Sequence, residues 1–437
     1  MVAIPTIIDG LLVTRIGTNV FANLSSLTNV SIPSSVTCIG DNAFYACTNL
    51  ISATMSNGLA NIGSNAFAFC FSLTSITIPA SVTNIGDFSF GVCYDLTNAT
   101  ITNGIISIGN LAFFECYSLS NVTIPASVAS IGEGPFAICT SLKAVAVDAL
   151  NSFYSSTNGG LFDKSQSTLI QYPGGLGGSY TIPDGVTTIA NYAFSGCTAL
   201  TSVQIPDSVT TIGEDAFEEC GLTAIELPDS VTSLGDYAFY DCNSLTSVSL
   251  PSSITNIGVG AFAYTSLTNV VIPNSVTSIG QDAFFDCYSL TSVTIPGNVS
   301  NIGNYAFYLC VRLTSVYFTG NPPGIGISVF QFDQNATLYY LSGTTGWVAF
   351  SATTDLPAVL WNPLIETSDG SFGVQNNQFG FTITNLTNIT VVVEACTNLA
   401  NPAWTPLQTV TLTNGSFYFS DPQWANYSNR FYGLGLP

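Results

Sequence analysis

The sequence predicts a repeat solenoid, mainly β with short helical turns in 23-residue coils, followed by a small all-β, sandwich-like domain. Three observations carry this. An Ile-Gly pair (once Ile-Ala, once Leu-Gly) recurs at Ile16, Ile39, Ile62, Ile85, Ile108, Ile131, Ile189, Ile212, Leu234, Ile257, Ile279 and Ile302, in steps of 22 or 23 residues with a single step of 58. A Phe follows each pair at the same offset, as at Phe44, Phe113, Phe217 and Phe307. Self-similarity at a period of 20–50 residues is the signature of stacked repeats that share one core. The 437 residues are 47% hydrophobic and only 7% charged, yet no apolar run approaches the ~18–20 residues of a membrane-crossing helix.

Each coil reads in order. Leu73–Ile78 alternates like a short strand, and Pro79, which cannot donate to a ladder, closes it. A second extended run, Val82–Ile85, ends at Gly86. Asp87, or Asn, Ser or Glu in sister coils, stands where an N-cap would, before one helical turn carrying the Phe. Pro33, Pro79 and Pro125 mark alternate coils, with Asn57-Gly58 and Asn103-Gly104 between them. The 58-residue step is one longer variant coil, about 143–182. In it, Asn158–Asp163 and Ser167–Pro173 read as two strands around a Lys164–Gln166 turn. The register degrades after Asn301, and about 317–362 form a terminal capping coil, so the solenoid is assigned to 1–362. Residues 363–437 read as a separate β-sandwich-like domain with strands at 378–384, 390–396, 408–412 and 416–420, and with Trp404 and Arg430–Tyr432 supplying aromatics.

The 23-residue pattern resembles the BspA-like (Treponema pallidum-type) leucine-rich repeats of bacterial surface and secreted proteins. Asn158–Lys164 with Leu169–Pro173 is similar to that family's variant repeat, and Gly320–Pro323 through Gly343–Trp347 to its terminal unit. The resemblance implies a solenoid, an extracellular or cell-surface location, and a role in adhesion or host-protein binding. The chain opens partway through a coil without a signal peptide, as expected if a leader and cap were removed or the sequence is a fragment.

Charge and residue types narrow the function. Five Lys and Arg against 26 Asp and Glu give a net charge of −21, and five cations cannot line a nucleic-acid backbone or favour an anionic membrane. Histidine is absent, which removes Ser-His-Asp and Cys-His catalysis and His-containing zinc sites. The only lysines, Lys143 and Lys164, sit in no motif, so no enzyme is expected. Ten of twelve cysteines hold one repeat position, which Thr265 fills in one coil. Their parallel Cβ vectors at coil spacing favour a buried, inert thiol column over bridges or metal. Cys38 and Cys396 lie off it.

Asp184, Asp207 and Asp229 share one position in successive coils, with Glu214, Asp215, Glu218 and Glu219 nearby. Ca²⁺ is the one candidate cofactor there, against the simpler reading of solvated carboxylates, and no calcium-loop motif is present.

The Thr-rich columns are the expected binding face for a protein or glycan: Thr54, Thr77, Thr100 and Thr123 on the first strand, and Thr187, Thr210, Thr232, Thr255 and Thr277 on the second. β-Propensity and solubility alone explain much of this threonine. The alternative is a filament or surface-layer subunit whose neighbour is a copy of itself, added head-to-tail through Ser416, Phe417, Tyr418, Phe419, Arg430, Phe431 and Tyr432.

Overall fold

The computed structural model describes residues 2–375, 377–384, 390–400, 402–412 and 415–436. Its body is a parallel β-solenoid of about 15 turns. The first strand of each coil, such as Ser75–Ile78, puts Ile76 and Ile78 inside and Ser75 and Thr77 outside. It pairs in register with the same residues of the next coil, Thr77 with Thr100 and Ile78 with Ile101. The second strand is two residues long, and its Ile stacks likewise, Ile62 on Ile85 on Ile108.

The Phe column is the spine of the core. Rings stack near-parallel from Phe21 to Phe136 and from Phe194 to Phe330, with centroid separations between 4.7 and 5.6 Å. Phe44, Phe67, Phe90 and Phe113 are wholly buried, which contributes ~1.5–3 kcal/mol for each side chain.

The expected helical turn is not a helix. Two residues per coil, four apart, take left-handed backbone instead: Asn42 and Ala46 (φ 54° each), then Asn65 and Phe69, then Phe88 and Val92. Alternate amides therefore point along the solenoid. Asn42, Phe44 and Ala46 donate to Ser64, Ala66 and Ala68 of the next coil at 2.8–2.9 Å, while Ala43, Tyr45 and Cys47 close tight turns within their own. A helix would spend all these donors internally and leave the coils unjoined on this face.

The residue read as an N-cap does different work for the same reason. Asp41 Oδ1 accepts from Ser64 N–H at 2.9 Å, and Asp87 and Asn110 do the same for Asn110 and Glu133. This column staples coil to coil.

Glycine is required where alternate coils replace proline. Gly104 has φ 139°, donates its N–H to Ser127 Oγ at 2.8 Å, and a Cβ there would overlap the Ala80 carbonyl oxygen.

The middle of the variant coil holds three strands where two were expected. Gly160–Asp163 and Thr168–Gln171 flank the anticipated turn, and Tyr154–Thr157 adds an antiparallel edge. Leu169 pairs with Ile189 in the Ile column, and Tyr172 stands in for the Phe, 5.2 Å from Phe194 and tilted by 34°. The terminal coils carry the only α-helix among the described residues, Trp347–Thr354, which packs Trp347 and Phe350 onto Phe318.

Beyond them lie two small antiparallel sheets. One centres on Gln378–Thr384, paired with Leu364–Glu366, Gly373–Gln375 and Ser416–Asp421; the other places Thr390–Cys396 between Thr405–Thr411 and Phe431–Gly435. Their shared core is Phe381, Ile383, Val391, Val393, Val410, Leu412 and Phe419. Tyr432 stacks on Phe379 at its margin, whereas Trp404 remains 39% exposed and supplies little.

All twelve cysteines are free. Most column thiols donate to a Phe carbonyl of the preceding coil, as Cys70 does to Phe44, Cys93 to Phe67 and Cys116 to Phe90, each at 3.3 Å, whereas Cys220 turns to the Cys197 carbonyl. Burial pushes these thiols well above their ordinary pKa. Cys38 is half-buried beside Asn61, and Cys396 is buried in the C-terminal sheets.

Two measurements check this packing. Phe113→Ala should cost ~3–5 kcal/mol by denaturant titration and Thr100→Ala under ~0.5; equal losses would refute the register. Alkylation of native protein followed by mass spectrometry should label Cys38 alone, with the other thiols reacting after denaturation.

Candidate binding face

The solenoid's threonine columns look alike in sequence and differ in what their hydroxyls do. On the second strand they are occupied. Thr187 Oγ1 donates to the Ser167 carbonyl at 3.2 Å, Thr210 to Thr187 at 3.3 Å, Thr232 to Thr210 at 3.4 Å and Thr277 to Thr255 at 3.1 Å. Thr255 is the exception in this exposed column, its hydroxyl bonded to nothing among the described residues. A third column, just before the first strand, behaves likewise: Thr97, Thr246 and Thr291 each donate to the preceding coil at 3.0 Å. These hydroxyls satisfy backbone carbonyls and have no donor left for a ligand.

The first-strand column is different. Thr77 and Thr123 are exposed with no hydrogen-bond partner for their hydroxyls among the described residues, and Thr100 only accepts, from Asn98 at 3.5 Å; Thr54 alone of the four donates to the preceding coil, to Val30 at 3.4 Å. β-Branched side chains on adjacent strands hold these groups in a stiff array at the coil spacing of ~4.7–4.9 Å. In later coils the same outward position is Thr181, Gln204, Glu226, Ser249 and Val271. There Ser202, Gln204, Glu226, Ser247 and Ser249 line a shallow groove of about 1070 Å³, with Asp207 and Asp229 also at its edge.

The sheet face ends where the C-terminal sheets begin. Tyr317, in register with Thr294, is wholly buried together with Tyr339 against Phe381 and Val391, and Thr390 N–H donates to Tyr317 Oη at 3.2 Å. No sequence signal marked these tyrosines, because the position is exposed in the coils from Ser31 to Val271 and only half-buried at Thr294.

The three aspartates considered for Ca²⁺ do not converge. No group of three or more Cys, Asp or Glu suited to a metal exists among the described residues. Asp229 instead accepts the N–H and hydroxyl of Ser252 at 3.2 and 3.3 Å, the coil-to-coil role seen elsewhere.

Carboxylates do crowd on the turn face, with a member that local sequence did not suggest. The long coil is short on this side, so Ile138 N–H donates directly to Ser195 O at 3.1 Å and Glu115 is brought near Glu218 and Glu219. Burial, with the charges of Asp215, Glu219 and Glu115, pushes Glu218 up to about 7 despite the Ser195 hydroxyl 2.8 Å away. Burial and its acidic neighbours push Asp215 up to about 6.

Of the residues considered for assembly, Phe419 is in the C-terminal core and Phe417 packs against it. Asp421 binds Arg430 at 2.9 Å and accepts the Tyr432 hydroxyl at 2.9 Å. Ser416, Tyr418 and Phe431 remain exposed. Among the described residues, Ser416–Asp421 and Phe431–Gly435 each pair along one edge only.

The raised carboxyls fix the sign of a pH effect. Folded Glu218 and Asp215 hold protons that the unfolded chain releases near pH 4, so stability falls as pH rises from about 4 to about 7. Glu218→Gln should raise the melting temperature at pH 8 and leave it nearly unchanged at pH 4; an equal effect at both would show that the carboxyl is not protonated in the fold.

The comparisons agree with this architecture. A family model described as the BspA type leucine rich repeat region matches in six copies, over residues 14–143, 178–287 and 255–372. A leucine rich cell surface protein of Faecalibacterium prausnitzii A2-165 is 31% identical with a TM-score of 0.56, covering 73% of this chain and 87% of its own. A leucine-rich repeat protein of Eubacterium ventriosum ATCC 27560 (24% identity, TM-score 0.56, 71% and 88% coverage) shares the fold. So does the pneumococcal vaccine antigen PcpA (23%, 0.63, 82% and 88%). No curated protein matches. No helix among the described residues is long and apolar enough to cross a membrane. With more than half of its length matched by the family model, the chain belongs to the BspA-type leucine-rich repeat family.

Proposed function

We propose that this is a secreted or cell-surface bacterial binding protein that holds a protein or glycan ligand on the outward face of its first-strand sheet. The observation that carries the reading is the division of the hydroxyl columns. Thr187, Thr210, Thr232 and Thr277 of the second strand are committed to neighbouring coils, while Thr77 and Thr123 keep free donors on a regular uncharged array. Such an array suits a ligand that repeats along its length and is itself rich in hydrogen-bonding groups. The cell-surface description of the F. prausnitzii relative supports the location. Repeat scaffolds of this kind bind through extended surfaces rather than by chemistry at one pocket.

Head-to-tail assembly is the second reading, favoured by the one-sided pairing of Ser416–Asp421 and Phe431–Gly435, whose open edges could accept a further strand.

The full-length protein on glycan and extracellular-protein arrays tests the first reading. A Thr77→Lys, Thr123→Lys pair should weaken the captured ligand at least ~10-fold, and Thr210→Lys on the committed column should not. Equal losses, or no ligand across a broad panel, would count against it. Electron microscopy of the same sample shows filaments if the second reading holds.

A further inference from the structure

The thiol column does not stop at Cys310. One repeat further, the same position holds Asp333, 1% exposed, with neither carboxyl oxygen hydrogen-bonded. Its neighbours show what the position requires. The Phe284 carbonyl accepts the Cys287 N–H at 3.4 Å and the Cys310 thiol at 3.2 Å. The Phe262 carbonyl accepts the Thr265 hydroxyl at 2.9 Å and the Cys287 thiol at 3.2 Å. The usual donor is a thiol reaching the carbonyl of the preceding coil, as Cys242 does to Phe217 at 2.9 Å; Thr265 instead turns its hydroxyl to the carbonyl of its own coil. The next carbonyl, Phe307, takes the Cys310 N–H at 3.3 Å, and the repeat assigns its second donor to residue 333. A carboxylate has only lone pairs to offer a carbonyl; a carboxylic acid has one O–H.

We propose that Asp333 is held in the folded protein as the neutral acid, donating its proton to the Phe307 carbonyl in place of a thiol, and that its ionisation loosens the terminal coils on which the C-terminal sheets are seated.

The surroundings favour the neutral form. Burial pushes the carboxyl up to about 8; the nearby Cys310 backbone N–H, already bonded to the Phe307 carbonyl, offsets this only in part. The titratable group facing it is the Cys310 thiol, itself raised by burial and by Cys287, and no cation is among its neighbours. Ionisation would thus leave a buried carboxylate with no opposite charge, which a fold relieves by opening toward water. The coil that would open is the one carrying the anchor. Tyr317 and Tyr339 bracket Asp333 in the chain, and both are buried beneath the C-terminal sheets. Phe330, three residues before Asp333, ends the Phe stack at 5.4 Å from Phe307. An unfolded Asp releases its proton near pH 4. The local stability is therefore complete below that pH and is lost as pH rises through about 8.

Hydrogen exchange of the full-length protein, followed by mass spectrometry on peptides spanning 315–340, tests this at pH 6 and pH 8 after correction for intrinsic exchange. The opening constant should rise about tenfold or more in the wild type, while peptides around Phe90–Cys116 change less. Asp333→Cys restores the column donor and Asp333→Asn supplies an uncharged one, so either should remove the rise in 315–340. A wild-type segment whose opening is the same at both pH values overturns the proposal, even if neither variant folds. So does a rise that persists in a folded Asp333→Cys or Asp333→Asn protein.

Discussion

Each regular coil is joined to the next by backbone hydrogen bonds between residues 21 to 24 apart, and the rest of the structure depends on that register. The bonds run through both strands and, unusually, through the turn face as well, where Phe44 donates to Ala66 and Phe67 to Ser89 at 2.7–2.8 Å. Once coils are fixed at strand spacing, each side chain lies over its own repeat mate. A column can then be only what tolerates stacking on itself: parallel Phe rings, Ile on Ile, or thiols that each reach a carbonyl in the coil before. One coil could bury almost none of this surface alone, and the stack buries it continuously.

Left-handed backbone at two residues per coil is the cost of a turn that keeps its amides aimed at the neighbour. An L-residue there carries roughly 1–2 kcal/mol of steric strain. Even Val92 and Ile138, whose branched Cβ suits this region least, accept it. Such strain persists because surrounding contacts over-determine the conformation. Val92 donates to Phe114 at 2.7 Å and Ile138 to Ser195 at 3.1 Å, and each is flanked by buried Phe and Cys of the spine.

The same register divides the surface into faces of different chemical capacity. Hydroxyls beside a free carbonyl of the preceding coil are drawn into the scaffold, and those standing on the pleated sheet are not. With five cations in the whole chain, and Lys143 and Lys164 donating to the Gly175 and Asn151 carbonyls, recognition on the sheet rests on neutral donors and on scattered carboxylates such as Glu226. At the far end Tyr317 and Tyr339 replace threonine, and a β module covers them. The sheet thus already holds one folded partner, supplied by its own chain, through an aromatic version of the column that elsewhere faces solvent.

The sequence by itself determined the repeat, the strand positions, the Phe and thiol columns and the variant coil. All of these are periodic, and a periodic pattern of apolar side chains admits only one stacking. What it could not determine is where a donor goes when two acceptors lie within reach. Asp87 has the composition of an N-cap, yet it bonds an amide 23 residues away, because the neighbouring coil lies closer to its carboxylate than any helical N–H. The two threonine columns read alike for the same reason. Glu115 joins Glu218 only because a long insertion is short on one side, and Tyr317 is buried only because a module folds over it. Each of these is a meeting of segments distant in the chain, and distance in space is the quantity that one-dimensional spacing leaves open.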